Sequence, residues 1–409
     1  MRVAFLTQDL QLSGGVGVIV AHAVQLSRHG LDVDLVLTRV AGRPDWTHHG
    51  LEAVQVVGLE QARTRTYDVA LATWWQTTQH LFELDAARHA CFVQSLEDRF
   101  YAPADPRRLG AALALDLPVR FVTEARWIAN TLEALRPGER VFYVRNGIAK
   151  DVFAPVARVP VSAPGPLRIL IEGSADVPFK GVGDALGVVA SMREASHVTV
   201  VSPDGSGAGL SGADRVAGPV SQRELAGMYA RTDVVLKLSR VEGMFGPPLE
   251  GFHSGATCVV TPVTGHDEFV EHGENGLVVD WDDRTGAARA LDGLARDRAL
   301  LHRLRCGALA TARGWPSWEQ QGQVMAMALR TIRSEPAPDG RRLGLRLARD
   351  AAGALSDGER AASELAVWRQ KAAVAQGSRA YRAAVKGRTT VENVVRYPAR
   401  RRRRRRGEL

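Results

Sequence analysis

Residues 233–260 read DVVLKLSRVEGMFGPPLEGFHSGATCVV. DVVLKLS has strand character and ends near Ser239. The loop after it carries Gly243 and Gly246, and Pro247 and Pro248 then open a helix, because the first helical turn does not need proline's missing N–H. CVV begins the next strand. Strand, loop, helix and strand in this order form the repeating unit of a parallel α/β sheet, so the loop sits at the carboxyl end of its strand, where such sheets bind ligands.

The same grammar extends in both directions. Strand-like runs fall at 2–7, 31–37, 68–75, 89–94, 118–123 and 142–147. SGGVG (13–17) precedes an apolar-periodic helix that Gly30 stops. A Pro-rich stretch at 156–167 reads as a linker, after which strands recur at 167–173, 197–203, 233–239, 258–262 and 276–280. A helix from about Ser317 to Ile332 closes the body. The expected architecture is α/β: two Rossmann-like, doubly wound domains, 1–155 and 166–335, facing a cleft, and a basic tail, 336–409.

Bulk properties narrow the classes. The 409 residues are 45 % hydrophobic and 24 % charged, ordinary for a globular protein. Cys91, Cys258 and Cys306 are too few and scattered for a disulfide framework or zinc cluster, which fits a reducing compartment. The N-terminus meets Asp9 within its apolar run, a poor signal peptide, and no run has the roughly 18 apolar residues of a membrane span. The net charge of +8 divides into about −4 over residues 1–335 and +12 over 336–409, so nucleic-acid binding by the whole fold is not expected.

Glu242 and Glu250 have seven residues between them around the glycine loop. Glycines let amides approach a ligand, and a helix N-terminus favours phosphate. Carboxylates are strong acceptors from hydroxyl groups. A loop with both suits a ligand with phosphate and polyol parts, such as a sugar nucleotide.

This E-x7-E pair resembles the signature of glycosyltransferase family 4, retaining enzymes of the two-domain GT-B fold. GGVG, RNGIAKDVFAP (145–155), FKG (179–181) and GHDEFVEHGENGLVV (265–279) fall where such an enzyme would have them. The resemblance implies that Glu250 holds the ribose hydroxyls and Glu242 meets the donor sugar near its anomeric centre. It implies that Lys180 neutralises the diphosphate, with amides of the loop Gly243 to Gly246, Phe245 among them, adding donors, and that Gly14 and Gly15 approach the donor from the first domain. One departure is Ala175, where the family usually has arginine; Arg240 is a candidate replacement. HACFVQSLEDRFYAP (89–103) and TWWQTT (73–78) resemble a subgroup near bacterial rhamnosyltransferases. Gln94 and Glu97 then become acceptor-side residues, or else tie down a loop, and Trp74 and Trp75 either stack on a sugar or simply pack. The nucleotide sugar would be a substrate, and no metal or other cofactor is expected.

The tail reads as helical over 341–386 and ends in seven consecutive arginines, Arg400 to Arg406. A run of this kind suits an anionic membrane surface, with a solvated or nucleic-acid-binding tail as alternatives. The expected protein is a cytoplasmic enzyme, peripheral on the membrane, that moves a sugar, rhamnose as the first guess, onto a surface glycan or glycolipid. The rival is a GT-B-like binding scaffold without turnover.

Overall fold

The computed structural model describes residues 1–39, 48, 50–159, 165–203, 210–338 and 363–371. Residues Met1–Leu347 form one compact unit and Ala348–Leu409 another.

The first unit contains two parallel sheets. The first is built from β1 (Arg2–Thr7), β2 (Asp32–Leu37), β3 (Gln55–Gly58), β4 (Thr66–Ala72), β5 (Asp85–Val93), β6 (Arg120–Thr123) and β7 (Val141–Tyr143), in the order β3-β2-β1-β4-β5-β6-β7. The second holds β8 (Leu167–Glu172), β9 (Ser196–Val201), β10 (Arg215–Ala217), β11 (Val234–Lys237), β12 (Thr257–Val260) and β13 (Gly276–Val278), in the order β10-β9-β8-β11-β12-β13. Around them lie α1 (Gly14–Arg28), α2 (Leu59–Ala62), α3 (Arg107–Ala114), α4 (Arg126–Leu135), α5 (Val182–Val189), α6 (Gln222–Tyr229), α7 (Gly246–His253), α8 (Arg284–Arg296), α9 (Arg298–Gly314) and α10 (Trp318–Ser334). Val3 to Leu6 and Val234 to Leu236 are fully buried, as strands covered by helices on both faces require.

Three expectations need revision. The strand read as 68–75 stops at Ala72, and Trp75–Glu83 turns into a 3-10 helix. Thr77 causes the turn: its hydroxyl oxygen accepts the Thr73 and Trp74 N–H groups at 3.1 and 3.2 Å. The edge strands β3 and β10 were not foreseen, since four and three residues carry too little periodicity to read. The closing helix α10, expected with the second domain, packs on the first. Its Met325, Ala326, Leu329 and Ile332 share a core with Val20, Ala23 and Val24 of α1. Arg333 Nε reaches Asp68 at 2.9 Å and Arg88 Nε the Glu335 carbonyl at 2.6 Å, fixing the helix end to the first sheet.

In the second unit residues 363–371 are helical and exposed, inside the stretch expected to be helical. The rest of that stretch and the arginine run lie outside the described residues. No helix among the described residues is long and apolar enough to cross a membrane.

Candidate active site

The carboxyl end of the second sheet gathers a cluster of alternating charge. Val235 pairs with Leu170 across β11 and β8, so two residues further on Lys237 stands opposite Glu172. Lys237 Nζ donates to the Glu172 Oε2 at 2.7 Å and to the Glu172 carbonyl at 3.0 Å. Glu242, in the loop after β11, lies 3.8 Å from the same ammonium and accepts from Lys180 Nζ at 3.1 and 2.9 Å. Lys237 and Glu242 are both buried, at 2 % and 7 % exposed. Burial alone would lower the Lys237 ammonium, but the Glu172 and Glu242 carboxylates outweigh it and hold it above its ordinary value. Burial likewise works against the Glu172 carboxylate, yet Lys237 keeps it below the usual range. Glu250 lies one turn into α7, where burial and the charge of Glu172 push its carboxyl up to about 8.

The loop after β11 also meets the first domain. The Gly243 carbonyl accepts from Trp127 Nε1 at 2.9 Å, and the Met244 N–H donates to Glu124 Oε1 at 3.1 Å. A Cβ on Gly243 would run into the Gln94 carbonyl, so only glycine allows this approach. Glu268 accepts from the Arg126 N–H and from Tyr143 Oη, the latter at 2.8 Å. Arg99 Nη1 donates to Thr264 Oγ1 at 2.9 Å, and the rings of Phe100 and Phe179 stack 5.4 Å apart. Burial pushes the Glu124 carboxyl up to about 8. Within the unit, the two sheets therefore face each other across a seam that runs along the candidate site.

Glu242, Lys180 and Gly243 come together in this cluster, and Gln94 and Gly15 adjoin it across the seam, with the Gln94 amide 3.5 Å from where a Gly15 Cβ would be. Gly14 and Gly15 are the first residues of α1, behind the Ser13 N-cap, rather than a free loop. Phe245, Gly246 and Glu97 depart from what was expected of them. Phe245 is fully buried in the second domain's core with Leu249 and Phe252, so its ring does not face a ligand. The Gly246 N–H is committed to the Met244 carbonyl at 3.0 Å, and Met244's own N–H to Glu124, so neither amide is open to phosphate. Arg240, the candidate replacement for the arginine absent at Ala175, pairs with Asp282 and, at 3.8 Å, Asp184. Ala175 itself packs on the second core.

Glu97 turns inward, away from the cleft. Its Oε2 accepts the Trp75 N–H at 2.6 Å, and it lines a cavity of about 20 Å³ with Trp74, Cys91 and Ser95, room for a water rather than a sugar. Burial raises this carboxyl from 4.5 to about 8. The folded state thus keeps a proton that the unfolded chain releases, and stability falls as pH rises from about 4.5 towards about 8. Glu97→Gln keeps an acceptor for Trp75 and removes the titration. Its unfolding midpoint is expected to decline less over that range than the wild type's, and equal slopes would contradict the assignment.

The sequence reading missed Lys237, Glu172, Glu124 and Glu268. Lys237 did carry a signal: a lysine inside the apolar strand run DVVLKLS must find a buried carboxylate. Among the described residues, no group of three or more His, Cys, Asp or Glu is arranged to hold a metal.

Two parallel-sheet domains with an acid–lysine cluster at the carboxyl end of the second define the class: the architecture is GT-B. The sucrose-phosphate synthase of Thermosynechococcus elongatus superposes with a TM-score of 0.68 at 17 % identity, over 81 % of this chain and 98 % of that one. The Anabaena Alr3699/HepE protein, in complex with UDP-glucose, does so with a TM-score of 0.63 at 14 % identity, over 81 % of this chain and all of that one. These likenesses show the fold. Residues 167–297 match the family model described as Glycosyl transferases group 1. The D-inositol 3-phosphate glycosyltransferase of Thermobispora bispora is 29 % identical over 240 residues, 51 % of this chain and 56 % of that protein. This chain thus spans about half the length of that relative. The likeness to the group 1 glycosyl transferases thus lies in the second domain, residues 167–297.

Proposed function

We propose that the protein is a retaining glycosyltransferase that moves a sugar from a nucleotide-sugar donor to a surface glycan or glycolipid. The observation that carries this reading is Lys180 seated on Glu242 at the carboxyl end of the second sheet, beside Glu250 and inside the segment that matches the family. Glu250 accepts from the ribose hydroxyls. Lys180 turns to the diphosphate, and Glu242 meets the sugar near the bond that breaks. Retention follows front-face displacement, with the leaving phosphate taking the acceptor's proton. UDP-glucose in the Anabaena relative supports the donor class, and rhamnose from a dTDP donor rests on the VQSLE and TWW segments. Closure of the cleft along the seam would exclude water from the donor. The basic tail, 336–409, would hold the enzyme at an anionic membrane surface near its acceptor.

A thermal-shift panel of UDP, dTDP, GDP and ADP with their sugar forms tests the donor reading. A ligand at about 100 times its Kd adds about 2.7 kcal/mol to the folded state. A shift for one base, lost in Glu250→Ala, is expected. A protein that shifts with none of them is a binding scaffold instead. The same panel on a chain ending at Glu335 should give unchanged shifts, while that chain no longer sediments with anionic vesicles; sedimentation that persists removes the tail from the proposal.

A further inference from the structure

We propose that Lys237 is the standing counter-ion of Glu242, freeing Lys180 to bind the donor diphosphate. The inference rests on the donor reading above and adds a positioning residue to it.

The two lysines are built differently. Lys180 Nζ holds both carboxylate oxygens of Glu242, but its side chain is 31 % exposed and rises from a short 3-10 turn, Pro178–Lys180. Lys237 is 2 % exposed and pinned at the end of β11 by the Glu172 carboxylate and carbonyl. Lys180 is therefore the one free to swing, and Lys237 is fixed. When Lys180 leaves for a phosphate, Glu242 becomes a buried carboxylate that would need another cation. Lys237 is already 3.8 Å away. With Lys180 seated, the two lysines and the two carboxylates Glu172 and Glu242 carry no net charge; when Lys180 turns to a phosphate, Lys237 is shared between the two carboxylates. The charge of Lys237 also acts on Glu250 of α7. It need not touch the phosphate to set how readily Lys180 reaches it.

A buried ion pair can serve as mere scaffolding, and removing both partners together often leaves stability intact. The double variant E172V/K237L makes that separation; E172Q/K237M, closer in side-chain volume, serves where the first fails to fold. Binding of UDP, dTDP, GDP and ADP is measured by calorimetry on the full chain, beside the unfolding midpoint. The expected result is an unchanged midpoint and at least tenfold weaker binding of the diphosphate that the wild type takes. In a K180A background the same double change should cost nothing further, because Lys237 acts through the release of Lys180. Wild-type affinity in a folded double variant would overturn the inference, as would a loss that simply adds to that of K180A. If the wild type binds none of the four diphosphates, the donor reading itself falls, and this inference with it.

Discussion

Glu242→Gln is expected to lower sugar transfer by about two to three orders of magnitude while leaving the protein folded. Loss of a preorganised charge at a reacting centre has an effect of that size. Glu242 is buried at the centre of the cluster, with Lys180 on its two oxygens and Lys237 at 3.8 Å. Glutamine has nearly the same volume and retains a carbonyl acceptor, so packing is preserved. Lys237 keeps its 2.7 Å bond to Glu172 and is not left unpaired. The change therefore removes charge where the proposed donor sugar reacts and releases Lys180 from its carboxylate partner. The rate is measured by following nucleoside diphosphate release in the presence of acceptor, with the unfolding midpoint as control. Transfer at the wild-type rate in the folded variant would remove Glu242 from the chemistry.

Gly243→Val should abolish transfer by a different route. The Gly243 backbone lies against the Gln94 carbonyl of the first domain, and its own carbonyl accepts from Trp127. An added side chain meets backbone on the facing side, which cannot rotate away as a side-chain end can. Overpacking of this kind costs about 1–3 kcal/mol, and here the cost falls on the seam rather than on either core. Both cores should stay folded while the seam opens. Amide exchange is expected to rise at Met244, whose N–H donates to Glu124, and at Arg126, whose N–H donates to Glu268. Amides of Val3 to Leu6 and Val234 to Leu236 should remain protected, because those strands lie in the two cores. Unchanged exchange at Met244 and Arg126, together with full activity, would show that the seam tolerates the side chain and that its closeness is unimportant.

The two changes separate two layers of the site. One concerns charge within a single domain. The other concerns the approach of two domains that are distant in sequence but share one compact unit.

The sequence by itself determined the local elements and the chemistry at their ends. Alternating apolar runs and helical periods place β1, β2, β8 and α10 nearly to the residue, because strand and helix periodicity are properties of neighbouring residues. Pro247 and Pro248 likewise mark the helix start, since a missing N–H acts where it stands. Contacts across the chain were decided only in the tertiary structure. Phe245 sits within the signature yet belongs to the core, and Arg240 is beside Glu242 in sequence yet pairs with Asp282. Lys237 meets Glu172, 65 residues away, because parallel register sets two strand ends side by side. The return of α10 to the first domain followed from an apolar face that its own period reveals but whose partner it does not name. Burial, ion pairing and domain approach depend on which surfaces meet, and no window of neighbouring residues contains that information.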